Sequence, residues 1–531
     1  MQGVSPAWKN AHKRTLLNES FVEVSLDIND PDALVGAKSS DNGSAYISDT
    51  EEVVSTVDSP TIPYGTLEQN LWVLNGTRRS IPESDYKDGG YVGDVLGNAE
   101  GMFIEKIPTI TIEFSKVHTQ PIPGLVITWG DAYDEYPEQF VVVAYNGDTV
   151  VDQQEIFDNK SITSVLTWDL SNYDRIVIRI YKWCLPNHRA RVNEIFMGWR
   201  RVYSKTQLLS YSHEQIVDPI SATLPKMEIK FSVDNRDGEY NPHNLNGLAK
   251  YLTERQEVKT RYGLKLDDGT IEWIAGGTFY LSEWYAKQNG ISADFVARDL
   301  LEYMSAHYQD DVSKIEERTL YDLAIAVLES ANLPLNSDGT VKWVVDDSLS
   351  LIKTTAVLPN DTIANCLQMI ANMGCCVVYP DRNGTLRIEP INNTPTDYVI
   401  NSFNSYSKSE ITLSKSIKEV VVKVYQYSIG EKGVESRATQ VSTNVGDSGE
   451  TIIVDNPLVT SEDRARILGE WMGNYLKNRM TLKSVVRADV SVDALDIVSN
   501  ENDYNTKRVR MTNVKFEYNG AFRGLGEGRV I

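Results

Sequence analysis

Residues 226–234 read Lys-Met-Glu-Ile-Lys-Phe-Ser-Val-Asp, with Met227, Ile229, Phe231 and Val233 alternating against Glu228, Lys230 and Ser232. A period of two puts the apolar four on one face of an extended strand and the polar residues on the other. Such a half-buried strand needs partners, and the following sequence supplies them. The polar run Asp234-Asn235-Arg236-Asp237-Gly238 ends the strand, and Asp267-Asp268-Gly269, Gly276-Gly277 and Asn289-Gly290 mark further turns. Residues 219–303 are therefore expected to form an antiparallel meander of about five strands that closes on the start of a helix.

Length bounds what is attached to it. A chain of 531 residues has room for three or four domains, each with its own core. With 41% hydrophobic and 24% charged residues, the composition is that of a globular protein. The sequence has no run of ~18 apolar residues, so no membrane-spanning helix is expected, and the first residues lack the apolar centre of a signal peptide. Synthesis and assembly in the cytoplasm are the expectation. Cys184, Cys366, Cys375 and Cys376 have neither a CxxC spacing nor a secreted pattern, so reduced structural thiols are expected.

Chemistry-bearing motifs are missing. His12, His118, His188, His213, His243 and His307 never pair at helical zinc spacing. There is no phosphate-binding glycine loop and no nucleophile elbow, and Asp234, Asp237 and Glu239 miss the calcium-loop spacing. No cofactor, no metal and no enzymatic activity are expected. The net charge of −22 lies in residues 1–405, while 406–531 is nearly balanced. A protein that grips DNA would carry a basic footprint instead.

Taken in order, 1–66 holds one alternating strand (Phe21, Val22, Val24, Leu26, Ile28) and a second short one at 45–47. It is too short to fold alone and is expected to join the meander, giving a discontinuous barrel of 1–66 and 202–311. Residues 67–201 have short strands at 109–114, 124–129, 140–145, 164–170, 175–181 and 191–199, the texture of an inserted β-sandwich. In 312–405, Thr319 caps a helix running to about Asn332, and Asp361 caps another that stops at Gly374; a hairpin turns at Asn383-Gly384. Cys375-Cys376 has no basic sequence neighbour and opens an apolar strand, so both thiols are read as buried bystanders. Residues 406–531 return to strands around a helix capped by Thr460 and Asp463, with Leu468, Met472, Tyr475 and Leu476 facing inward.

Several runs carry a resemblance. FSVDNRDGEYNP (231–242), GGTFYLSEW (276–284) and ARDLLEYM (297–304) resemble the first tube-forming domain of tailed-phage baseplate hub proteins. MGCCVVYPDRNGTLRIEP (373–390) is similar to the small α/β unit between their two tube domains, and NPLVT (456–460) with NGAFRGLGEGR (519–529) to the second. The resemblance implies a mainly β chain with a minor α+β part: two tube-type antiparallel β-barrels, an inserted sandwich and a small α/β domain. It implies a homotrimeric ring at the virion's tail tip, with the tail tube or distal tail protein above and tip, spike or fibre proteins below. DNA would only pass through.

The insertion, in YPEQFVVVAYNGDTVV (136–151) and YDRIVIRIYKWCLPNHRARVNEIFMG (173–198), is similar to discoidin-like, galactose-binding-like sandwiches. Those modules often bind cell-surface glycans through loops at one end. Trp129, Tyr133, Tyr136, Trp183, His188 and Arg189 sit in or beside such loops, where aromatic rings stack on sugars and Arg forks to hydroxyls or carboxylates. The alternative is that Trp129 and Trp183 are core and the sandwich is a spacer. A structural hub is thus the first reading and a receptor- or glycan-binding tail protein the second. A tail-associated peptidoglycan hydrolase is the third; the chain ends at Ile531, directly after the second tube segment, with no lytic domain expected.

Overall fold

The computed structural model describes residues 1–14, 19–30, 37–54, 66, 68, 90–287, 290–311, 315–336, 340–430 and 433–531. The fold is mainly β, as the alternation implies. Lys226–Asp234 is the strand expected, with Ile229, Phe231 and Val233 buried and Lys230 exposed. Its partners are Leu208–Ile216 on one side and Ser292–Arg298 on the other. Phe231 stands opposite Phe295 in that register, and the two rings stack 5.0 Å apart.

These strands belong to a 13-stranded sheet. Its path begins at Trp199–Ser204, then crosses Ser20–Ile28, Glu257–Lys265, Ile271–Ala286 and Ser292–Arg298 to reach Lys226–Asp234 and Leu208–Ile216. There it passes directly into the last part of the chain: Thr506–Tyr518, Phe522–Val530, Met480–Arg487 and finally Glu410–Leu413. Ile497–Glu501 and Pro395–Ile400 branch from Thr506–Tyr518. One apolar cluster lies along the whole path, from Val24 and Tyr262 through Phe231 to Phe516 and Leu482. The strands of both segments expected to be tube-like lie on one path, and no barrel closure is found among the described residues. Helix α1 (Pro6–His12), capped by Ser5, docks on this sheet, and its buried Trp8 donates through Nε1 to Asp489 at 3.2 Å.

The insertion is a sandwich. One sheet runs Lys38–Asp41, Thr109–His118, Tyr173–Trp183, Pro137–Asn146, Thr149–Ile156; the other runs Tyr91–Leu96, Arg189–Met197, Ile122–Trp129, Thr163–Leu170. Ile112, Ile178 and Phe140 from the first meet Leu125, Ile127 and Ile195 from the second. The boundary expected at 67 differs from what is seen. Ser39 pairs with Ile112, Ala45 N donates to Val92 O at 2.7 Å, and Val53 is in the sandwich core. Residues 38–54 thus pack in the sandwich and not in the first tube segment; the backbone pairs supply the reason, since Lys-Ser-Ser-Asp has no apolar pattern to steer it. Most of 67–89, where the insertion was expected to start, lies outside the described residues.

Helices α2 (Leu320–Ser330) and α3 (Ile363–Gly374) form the third body. Thr319 caps α2 as expected, accepting from Asp322 N at 3.0 Å; Thr362, not Asp361, caps α3, accepting from Asn365 N at 3.2 Å. In the last helix, α4 (Glu462–Leu476), the cap is Ser461, one residue past Thr460. The division at 405/406 separates residues that share a core. Val420 and Val422 of Ile417–Gly430, with Leu468 and Met472 of α4, are buried in one cluster with Leu367 and Ile370 of α3. Among the described residues of 406–531, Glu410–Leu413 and the strands after α4 return to the long sheet, as does Pro395–Ile400 before that division.

Sandwich and long sheet join at Gly198. Its φ is +124°, its N–H donates to Gly124 O at 2.9 Å, and an added Cβ would lie 2.2 Å from Ile28 O. Backbone cannot yield as a flexible side chain would. Gly198→Ala is therefore expected to destabilise strongly, by roughly 3 kcal/mol or more. Gly238→Ala, at φ +72° with open space around it, should cost only about 1 kcal/mol. Denaturant unfolding of both variants checks this; equal losses would contradict it.

Candidate functional site

The residues expected to bind glycan converge on one end of the sandwich, but three of the six, Trp129, Trp183 and His188, are buried. Glu135, fully buried, sits at the centre. Trp183 Nε1 donates to its Oε2 at 2.6 Å, His188 Nδ1 lies 2.8 Å from its Oε1, and Arg191 Nη1 is 3.5 Å from Oε2. Arg191 also donates through Nη2 to Glu68 Oε1 at 2.5 Å, and Glu68 Oε2 accepts from the Arg189 backbone N at 2.8 Å. The Arg191 guanidinium covers the Tyr133 ring at 4.4 Å. Burial opposes the charge on Glu68, but Arg191 and the hydrogen bonds outweigh it, so its carboxyl stays below the usual range. Burial also opposes the Arg191 charge, and Glu68 and Glu135 outweigh it and raise its pKa.

Trp129, Trp183 and His188 are at most 1% exposed. Trp129 donates to Ser164 Oγ at 2.8 Å and packs edge-on to Phe140. None of the three offers a free face to a sugar; they are core, because their polar atoms are answered inside the sandwich. Tyr133, Tyr136 and Arg189 keep partial exposure, and Arg189 Nη1 is turned to Gly93 O at 2.9 Å. Glu68, Glu135 and Arg191, which organise this end, were missed: nothing in spacing marks a charged residue as buried.

A second polar cluster ties the three parts of the chain together. His213, on Leu208–Ile216, has Nδ1 2.7 Å from the Tyr262 hydroxyl, which is 2.7 Å from that of Tyr211. Arg382, from the hairpin turn of the third body, donates through Nε to Asp493 Oδ1 at 2.6 Å; Gln215 Nε2 donates to the same oxygen at 3.1 Å. Burial foremost, then Arg382, pushes His213 down to about 3. Elsewhere, Arg464 of α4 brings Nη2 to 3.1 Å from Cys375 Sγ, so the thiol has the basic neighbour in space that it lacks in sequence. Burial still raises its pKa, against the pull of Arg464. All four cysteines are free, and among the described residues no group of His, Cys, Asp and Glu is arranged to hold a metal.

No protein-family model matches the chain, and no curated protein does. Among solved structures, it is similar to the 43 kDa tail protein of prophage MuSo2 from Shewanella oneidensis, at 12% identity and a TM-score of 0.42, over 62% of this chain and 95% of that one. It is similar to the tail protein from Neisseria meningitidis MC58, at 11% identity and a TM-score of 0.43, over 62% and 93%. A prophage tail protein from Listeria monocytogenes EGD-e is similar at 11% identity and a TM-score of 0.40, over 62% and 91%.

Two predictions follow from the buried clusters. Arg191→Ala leaves Glu68 and Glu135 buried without their counter-charge, and should cost about 3–5 kcal/mol. Replacing Glu68 with Gln in the same chain should recover part of the loss, as read by thermal melting. His213 titrates near 6.5 when unfolded and near 3 when folded. The unfolded state therefore binds the extra proton in between, and the stability this group contributes is complete above pH 6.5 and lost as pH falls toward 3. Between pH 6 and 4 the slope is about 1.4 kcal/mol per unit. His213→Gln should remove that increment; an unchanged slope would refute the assignment.

Proposed function

We propose that this chain is a structural subunit of a phage or phage-like tail tip, three copies of which close into a ring that ends the tail tube. The observation that carries it is the long sheet. Among the described residues it runs through both segments expected to be tube-like and ends at Trp199–Ser204 and Glu410–Leu413, with Pro395–Ile400 as a third terminal strand on its side branch. An unpaired edge is a template for another chain, and two different edges on one subunit make a head-to-tail contact, which closes into a ring when the rotation allows. Glu410–Leu413 is exposed throughout, with Ile411 60% and Leu413 61% exposed. The runs at 231–242, 276–284, 297–304, 373–390 and 519–529, which resemble hub sequences, support the same reading.

In that reading the ring meets the tail tube or distal tail protein above and tip, spike or fibre proteins below, and DNA passes through its centre. The sandwich, attached through Gly198, lies on the outside of the ring and carries contacts to the host or to neighbouring tail proteins. Binding and assembly, not turnover, are the activity.

Mass measurement in solution and negative-stain images should return a three-chain ring with an axial opening. A stable monomer at high concentration, or a dimer, would overturn the proposal. Ile411→Lys with Leu413→Lys should abolish the ring, while the melting temperature of the monomer stays within a few degrees of the parent, because both side chains are at the surface.

A further inference from the structure

Among the described residues the dipeptide Asn-Gly occurs at 42–43, 146–147, 246–247, 383–384 and 519–520. It is a turn signal, and it is also the least hindered setting for one reaction of an amide side chain. The glycine nitrogen, once it has lost its proton, attacks the asparagine Cγ, and no Cβ on the glycine stands in the way. A bond forms between that nitrogen and Cγ, the Cγ–Nδ2 bond breaks, and Nδ2 leaves as ammonia, taking up the proton. Water then opens the five-membered imide at either carbonyl. One opening gives aspartate, the other isoaspartate, with the chain rerouted through the side-chain carbon; water is the only co-reactant.

Two contacts hold such a pair back. A hydrogen bond from the glycine N–H keeps its proton in place and fixes the nitrogen, and a bond from the side-chain amide anchors Cγ. Gly43 N donates to Asp41 Oδ1 at 2.8 Å, Gly147 N to Asp174 Oδ2 at 2.9 Å, Gly247 N to Asn244 O at 2.9 Å and Gly384 N to Asp381 O at 3.0 Å. Asn42 and Asn146 are anchored as well, through Nδ2 to Ile107 O at 2.8 Å and to Asn172 O at 3.1 Å. Asn519-Gly520 has neither restraint. Among the described residues Gly520 N–H has no acceptor and the Asn519 side chain no hydrogen-bond partner, and the Asn519 backbone N–H alone is engaged, 3.4 Å from Ala521 O. Both residues are exposed, and a Cβ placed on Gly520 would meet nothing within 4 Å.

We propose that Asn519 is a site of spontaneous deamidation, the one among these pairs that the fold leaves unprotected. It sits at the tip of the hairpin joining Thr506–Tyr518 to Phe522–Val530, where Tyr518 stands opposite Phe522 and Glu517 opposite Arg523. The reaction adds a negative charge at that tip, and the isoaspartate form lengthens the backbone inside a turn whose two flanking residues are paired. The site stands whether or not the chain belongs to a tail.

The test holds the full chain in neutral and in mildly alkaline buffer, samples it over time and maps the digests by mass spectrometry, with isoaspartate confirmed by labelling with an isoaspartyl methyltransferase. In the folded chain, conversion at Asn519 should run several-fold ahead of the other four pairs and quicken as pH rises, since the attacking nitrogen must lose its proton. In concentrated urea, where the restraining hydrogen bonds are gone, the five pairs should react at similar rates. Asn519→Gln, whose longer side chain would have to close a six-membered ring, should stay unconverted at that position and keep the parent's melting temperature. Two results would overturn the proposal. They are conversion at Asn519 no faster than at the other pairs in the folded chain, and an unchanged ranking in urea, which would place the cause in the flanking residues and not in the fold.

Discussion

Everything large in this molecule depends on one pairing between distant segments. Leu208–Ile216 exchanges hydrogen bonds with Thr506–Tyr518, setting Tyr211 opposite Tyr518 and His213 opposite Phe516. Without it the long sheet falls into two unconnected pieces. The pair joins residues roughly 300 positions apart, so it can form only after a very large loop has been closed. Loop entropy grows slowly with length, but the search for such a contact is slow. The local meander around Lys226–Asp234, by contrast, needs only short loops to be closed. The side-chain cluster of His213, Tyr262, Arg382 and Asp493 lies along this seam and fixes its register: a slip by one residue would turn His213 to the solvent face.

The sandwich solves a different problem. Its end is held by ion pairs that water does not reach, Glu68–Arg191–Glu135, with Trp183 and His188 supplying donors to the remaining oxygens. Desolvating such charges is expensive, and the cost is offset because each of the four carboxylate oxygens meets a donor, while Arg191 Nε is left without an acceptor among the described residues. What the cluster adds is direction. Arg191 reaches two carboxylates far apart in sequence, so Glu135 and Glu68 are both tied to the strand Arg189–Met197.

Much of this could be read from residues alone, and the limits have physical causes. Alternation located Lys226–Asp234 and most of the sandwich strands, because burying one face of a strand imposes a period of two. Helix caps were read to within one residue: Thr319 is the cap of α2, whereas Thr362 and Ser461 took the place of Asp361 and Thr460. The choice between neighbouring hydroxyl and carboxyl residues depends on backbone entry angle, which spacing does not encode. Partner choice was the harder matter. Val420 and Val422 show that their strand is half-buried but not that α3 is what buries it, and Lys38–Asp41 has no pattern at all. Trp129 and Trp183 could be read as loop aromatics or as core, and their burial, with hydrogen bonds to Ser164 and Glu135, decides for core. Glu135 itself was invisible, because a buried carboxylate is made by its surroundings.

The strands on either side of the sandwich are immediate neighbours. Ile28 is paired with Trp199 and Asp27 with Arg200, an alignment reinforced by Arg200 Nε donating to Asp27 at 2.8 Å. The chain thus leaves the sheet and re-enters it one strand spacing away, about 4.8 Å. For the sheet, everything between the two points amounts to a single long hairpin loop. A module whose ends meet one strand spacing apart satisfies the backbone pairing of both flanking strands whatever its interior, so the sheet constrains the insertion only at its two ends.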